Sequence, residues 1–213
     1  MNVFKMKAMC ALCLLASLAA LAAQAPALLS ADVADQKFAE AIALHDKASE
    51  KPDAATIEKA RQLLEPLAAK SALAKGYLGS LITIDASLAA GNKNGIKALA
   101  LLDTGSAMID EAVASEPGNP DLRFLRMMNG YGVSVGSPVN RFKVVKTDVD
   151  WLDARKAQFD GKQQATIELY KGLYLAKARK LEEALDAFDA CIALSPGSAE
   201  AIEAERQIAQ YSE

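Results

Sequence analysis

ATIELYKGLYLAKARKLEEALDAFDACIALSPGS, residues 165–198, reads as two short amphipathic helices folded back on each other. Over Ile167 to Ala178 the apolar or small residues Leu169, Tyr170, Gly172, Leu173, Leu175 and Ala176 crowd one side, while Lys171 and Lys177 leave the other side polar. Over Leu181 to Leu194 the stripe is narrower, with Leu181, Ala184, Leu185, Phe188, Cys191 and Ile192 at steps of three and four. The link around Arg179 and Lys180 is too short to let the two helices part, so they must pack as an antiparallel pair.

The same window carries a second layer of information in its small and large positions. Gly172 and Ala184 are small, Phe188 is large and apolar, and Pro196 stands just past the second helix. On these residues the segment resembles a tetratricopeptide repeat, departing from it at Glu168, where the family has an aromatic. The resemblance implies an all-α, right-handed solenoid of helical hairpins and a role in protein interaction. A generic helical hairpin is the plainer alternative.

Looser versions of the pattern lie upstream. Glu58 to Leu67 resembles a second helix of the same kind, with Ala60 and Leu64 in the small and large positions and a kink expected at Pro66. A longer pair is predicted over Ser71 to Ala90 and Gly95 to Glu116, joined by the turn Gly91-Asn92-Lys93-Asn94. Pro117-Gly118-Asn119-Pro120 stops it, and Asn119 with Pro120 caps and opens the next helix. A further pair is predicted over Asp121 to Asn129 and Val139 to Lys156, and a last helix over Ser198 to Gln210. The total is roughly nine helices, or four hairpins and a cap, which must stack because no single hairpin buries its own apolar face. The runs KGYLGSL at Lys75, DEAVASEPGNPDLRFLR at Asp110 and DVDWL at Asp148 are similar to uncharacterised bacterial envelope proteins with degenerate repeats.

Lys5 and Lys7 precede an unbroken apolar run from Ala8 to Ala23, short of the roughly 20 residues a spanning helix needs. This is the pattern of a secretory signal peptide over residues 1–31, with cleavage expected after Ala31; cleavage after Ala25 would leave Pro26 first, and an uncleaved anchor is the other alternative. The domain proper then covers residues 32–213, and the expected compartment is the periplasm, with secretion as the alternative. Cys10 and Cys13 come too early in the apolar run to be lipid-modified. Cleavage removes two of the 24 basic residues and none of the 27 acidic ones, taking the net charge from −3 to −5. A mildly acidic chain has no overall field to hold nucleic acid or an anionic membrane, and no membrane span is expected after cleavage. Cys191, the only remaining thiol, falls on the apolar stripe and reads as a small buried hydrophobe.

Catalytic patterns are sparse. Gly132-Val133-Ser134-Val135-Gly136 matches the G-x-S-x-G nucleophile elbow in letters. The elbow needs a strand before it, a helix after it and a histidine further along, whereas Phe124 to Met128 reads as helix, Pro138 follows, and the only histidine, His45, is far upstream. A glycine-rich loop between helices is the expectation there, and a serine hydrolase at Ser134 the remote alternative. His45 reads as a surface or boundary residue, since a transition-metal site needs several such ligands. The acidic face of Glu182, Glu183, Asp186 and Asp189 reads as solvated. No catalytic residue, cofactor or metal ligand is expected.

Two features remain for binding. Thr166, Leu169, Leu173 and Ala176 would line the inside of a solenoid, as the resemblance implies, and offer an apolar wall to a partner's helix or extended segment; the alternative is that the C-terminal helix or the neighbouring hairpin covers them. Arg123 and Arg126, followed by Arg141, Lys143 and Lys146, form a candidate basic patch, unless they pair with Asp148, Asp150 or Asp110. The expected function is a non-enzymatic scaffold or adaptor for a protein partner in an envelope assembly. A small-ligand carrier or sensor with a pocket near Trp151 and Tyr131 is the alternative.

Overall fold

The computed structural model describes the backbone of residues 25–211 and side chains from residue 35 onward. The apolar run at Ala8, with Cys10 and Cys13, lies outside the described residues, as do the side chains around Ala31. The chain divides into two compact units between Lys37 and Phe38. The first is helical from Ala25 onward.

Nine α-helices and one 3₁₀ turn account for the secondary structure, with no strand among the described residues. They are α1 (Ala25–Glu50), α2 (Ala54–Ala68), α3 (Ala72–Gly91), α4 (Gly95–Ser115), α5 (Pro120–Gly136), α6 (Phe142–Asp153), α7 (Gly161–Lys177), α8 (Leu181–Leu194) and α9 (Ala199–Tyr211), with the 3₁₀ turn Lys156–Gln158 between α6 and α7. Packing is between helices that are near neighbours in sequence, from α2 on α3 to α8 on α9, as expected for hairpins stacked in a row.

Short polar side chains begin the helices by accepting from otherwise orphaned N–H groups. Asp53 accepts from the N–H of Thr56 at 2.8 Å, Ser71 from that of Ala74 at 3.2 Å, and Asn94 from that of Lys97 at 3.1 Å. Asn119 accepts from Asp121 and Leu122 with Pro120 in the first turn, and Asp160 and Gln163 form a capping box on α7. Pro66 sits in the last turn of α2, which ends two residues later.

The internal repetition recurs in the turns. Between α3 and α4, Lys93 takes φ 59° and the N–H of Asn94 reaches back to the carbonyl of Ala89; between α7 and α8, Arg179 takes φ 62° and the N–H of Lys180 reaches back to that of Leu175. Both turns end a helix through one left-handed residue and start the next without a spare link. After α4 and after α8 the chain again stops alike, at Ser115-Glu116-Pro117-Gly118 and at Ser195-Pro196-Gly197.

The core is segmental. Phe38, Ala41, Leu44 and Ala48 of α1 pack with Ile57, Ala60 and Leu64 of α2 and Ala74, Leu78 and Leu81 of α3. Met127, Val145, Val149, Leu152 and Ile167 tie α5, α6 and α7 together, and Leu169, Leu173, Ala184, Phe188, Cys191 and Ala204 do the same for α7, α8 and α9. Between α3 and α4 the backbones themselves touch. A Cβ placed on Gly105 would lie 2.4 Å from the carbonyl oxygen of Gly79 and 2.7 Å from Cγ2 of Thr83. Because the obstacle is backbone, Gly105→Ala must push the helices apart. It is expected to cost about 1–3 kcal/mol in a urea titration, while Gly91→Ala, with open space around it, should stay within about 0.5 kcal/mol of wild type.

One helix is longer than expected. The segment read as a glycine-rich loop after Asn129 continues α5 to Gly136. Tertiary contacts outweigh the poor propensity of Gly130, Gly132 and Gly136: Val133 is buried, and a Cβ on Gly130 would meet Val145 of α6 at 3.3 Å. Among the described residues, no helix is long and apolar enough to cross a membrane.

Candidate functional site

The residues expected to form an apolar inner wall are largely closed off. Leu169 and Leu173 are buried against Phe188 and Ala204, and half-buried Ala176 packs on the same cluster. Thr166 donates to the carbonyl of Lys162 and lies 3.4 Å from a carboxylate oxygen of Glu200 on α9. The C-terminal helix folds back over this face because Ala201, Ala204 and Ile208 give it an apolar stripe of its own. A partner segment therefore finds no open wall at Leu169 and Leu173.

Arg123 and Arg126 are not a free basic patch either. Both donate to fully buried Asp148 of α6: Arg123 through Nη1 at 2.8 Å, Arg126 through Nε at 2.7 Å and Nη2 at 2.8 Å. Arg123 spends its other nitrogens on the carbonyl of Pro117, and Asp110 of α4 receives Arg141 at 2.7 Å and Arg126 at 3.4 Å. Three arginines and two aspartates thus tie α4, α5 and α6 together. Lys146 pairs with Asp150.

Ser134 has a structural task. Its hydroxyl donates to the carbonyl of Gly130 and accepts from the N–H of Arg141, both at 2.7 Å, which bridges α5 to the start of α6. The strand-to-helix turn of a nucleophile elbow is replaced by a continuous helix. Trp151 lies under the guanidinium of Arg155 at 4.0 Å and beside that of Arg123 at 5.2 Å. It lines a cavity of about 490 Å³ with Pro117, Pro120 and Phe159. Tyr131 is not in that lining; it stands edge-on to Phe142 and Tyr170.

A larger groove opens among α1, α3, α4 and α5, with a volume of about 820 Å³. This is within the range of roughly 300–1,000 Å³ usual for ligand sites. Its apolar lining includes Ile84, Leu99, Leu102, Leu125, Met128 and Val133, and Tyr170 reaches it from α7. Ile96, at its edge, is 88% exposed, and Leu99 and Met128 are exposed too. An apolar side chain so open beside an apolar groove is the less common arrangement for a surface.

The groove also has a polar cluster. His45, buried and not at the surface, bonds through Nε2 to the hydroxyl of Ser80 at 2.9 Å and through Nδ1 to Asp46 at 3.1 Å. Nδ2 of Asn129 donates to Thr83 Oγ1 at 2.6 Å and to Ser80 Oγ at 3.4 Å. Asp46, His45 and Ser80 stand at the distances of an acid, base and nucleophile. Ser80, however, sits inside α3, where neighbouring N–H groups are spent in the helix, and the Asn129 amide is spent on the two hydroxyls. Among the described residues the donors around Ser80 are thus already engaged, which leaves none for an oxyanion. What this cluster offers is hydrogen bonding.

The sequence reading missed the groove because its walls come from four helices distant in sequence. One local trace exists: Ser80, Thr83 and Ser87 share a face of the largely apolar α3.

Burial keeps two phenols and one thiol protonated. Burial, with smaller contributions from Asp46 and Asp121, pushes Tyr77 up to about 12, and Tyr77 stands edge-on to His45. Burial likewise pushes Tyr170 up to about 12 and the Cys191 thiol up to about 11. In the unfolded chain the thiol ionises near 9 and the phenols near 10. The folded chain therefore holds more protons across this window, and stability is expected to fall as pH rises from about 9 towards 12. Urea midpoints against pH, with tyrosinate absorbance of the native protein, check this: the midpoint should drop while the absorbance of Tyr77 and Tyr170 stays low until unfolding.

No protein-family model matches the chain, and neither curated proteins nor solved structures give a significant match.

Proposed function

We propose that this chain is a non-catalytic binding module, a repeat scaffold resembling tetratricopeptide proteins, whose working surface is the groove among α1, α3, α4 and α5. The observation that carries this reading is the apolar groove of about 820 Å³ with Ile96, Leu99 and Met128 exposed along it. An apolar stripe on a partner protein's helix, with anchors one turn apart, suits such a surface. The basic N-terminus and apolar run of residues 1–31 support a periplasmic setting, so the partner belongs to an envelope assembly on this reading.

The test is crosslinking in the native cells, comparing wild type with an Ile96→Glu, Met128→Glu double variant whose fold is verified by circular dichroism. Two carboxylates placed in an apolar contact are expected to reduce recovery of the partner at least about tenfold. A partner captured equally by both proteins would move the site elsewhere. The second reading, a carrier for a small ligand, is favoured by the polar cluster within the same groove.

A further inference from the structure

We infer that the groove takes a single-chain amphiphile whose polar end is a neutral hydrogen-bond donor, a hydroxyl, received by Asn129 and Ser80. This rests on the second reading, in which the groove carries a small ligand, and names the chemistry of that ligand.

The argument is an accounting of donors and acceptors. Thr83 donates its hydroxyl hydrogen to the carbonyl of Ser80 at 2.7 Å, so it accepts from Asn129, which fixes the Asn129 amide with its nitrogen towards Thr83. A carboxylate can only accept, so Nδ1 of His45 carries the hydrogen towards Asp46, which leaves Nε2 to accept the Ser80 hydroxyl hydrogen. Every donor of the cluster is then engaged. What remains is acceptor capacity: among the described residues Asn129 Oδ1 has no hydrogen-bond partner, although Asn129 lines the groove, and Ser80 Oγ keeps lone-pair room beside its weak 3.4 Å contact.

The rest of the lining narrows the choice. The hydroxyls of Ser49, Ser87 and Ser137 are turned back on the carbonyls of Asp46, Ile84 and Val133. Among the described residues no Lys, Arg, Asp or Glu lines the groove, so a carboxylate or an ammonium would lose hydration and meet no counter-charge there. A hydroxyl supplies the one thing the cluster lacks, a hydrogen, and carries no charge. Ile84, Leu99, Leu102 and Met128 then receive an aliphatic chain.

The test is calorimetric titration of the protein with three probes of matched chain: decan-1-ol, decanoate and 1-methoxydecane, the last an acceptor without a hydrogen. Decan-1-ol is expected to bind at least about tenfold more tightly than either of the others, because a site with an unpaired acceptor rejects a head that cannot donate. Asn129→Leu should bring decan-1-ol down to the level of 1-methoxydecane and leave the latter unchanged. Equal affinities for the three probes, or decanoate the tightest, would overturn the inference from the wild-type ranking alone, whatever the variant does. Tyr170→Phe is the second control: loss of the alcohol preference there and not in Asn129→Leu would place the head at α7 and overturn the assignment. If no probe binds while the Ile96→Glu, Met128→Glu variant still loses its protein partner, the inference falls and the scaffold reading stands. If that partner is also retained, both fall.

Discussion

Asp148→Ala is expected to lower the free energy of unfolding by about 3–5 kcal/mol. The carboxylate is fully buried and takes three charge-assisted hydrogen bonds from Arg123 and Arg126, whose side chains are only 11% and 13% exposed. Removing it strands two guanidinium groups beside the core formed by Met127, Val145 and Leu152, with the Pro117 carbonyl, the Trp151 ring and the 3.4 Å contact to Asp110 left to them. The loss comes from uncompensated charge, not from a missing attraction. An apolar replacement of the whole set, Arg123→Met with Arg126→Met and Asp148→Leu, should therefore recover much of the stability. Urea titrations at constant slope would decide it. A loss below about 1 kcal/mol for Asp148→Ala would mean that water reaches the two arginines and that the network ties α4, α5 and α6 together less firmly than its distances imply.

The same network realises the alternative that the sequence left open for the basic residues, pairing with Asp148 and Asp110 in place of a free patch. Three-residue spacing identifies Arg123 and Arg126 as neighbours and the sequence offers Asp148 as a partner, but with 22 to 25 positions between them periodicity alone could not choose between a pair and a free patch. The hairpin of α7 and α8 was readable for the opposite reason. Its stripe, its turn at Arg179 and its stop at Pro196 are all local, and α8 runs over the expected Leu181–Leu194. The long pair α3 and α4 likewise falls within one residue of its expected ends at each terminus. Where local and tertiary terms disagree, the tertiary ones win. Gly130, Gly132 and Gly136 argue against a helix, yet α5 continues because Val133 is buried and Ser134 anchors the next segment. The groove was out of reach for the same cause, since His45, Ser80 and Asn129 meet only once α1, α3 and α5 have packed. Leu169 and Leu173 were correctly placed on an apolar face, but that face is a core face because α9 returns to cover it.

Phe188→Ala is expected to cost about 3–5 kcal/mol, the range for deleting a buried phenyl ring, and Gly172 makes the mechanism testable. A Cβ on Gly172 would fall 2.5 Å from Cε1 and 2.6 Å from Cδ1 of Phe188, so the glycine and the ring occupy one shared volume between α7 and α8. Gly172→Ala alone sets two terms against each other: alanine favours the helix by about 1 kcal/mol, and the clash with a ring that has no free space costs about 1–3 kcal/mol. A small net loss is the expected result. In the Phe188→Ala background the clash is gone and the new methyl group fills part of the cavity, so the same Gly172→Ala change should become stabilising by about 1 kcal/mol. The sign reversal is the decisive observation, corresponding to a coupling of about 1–3 kcal/mol in a four-protein urea series. Additive effects would show that α7 and α8 can shift to admit the methyl group at little cost. The close approach of the two helices would then depend on Ala184, Cys191 and the Arg179 turn, and no longer on the fit of Phe188 over Gly172.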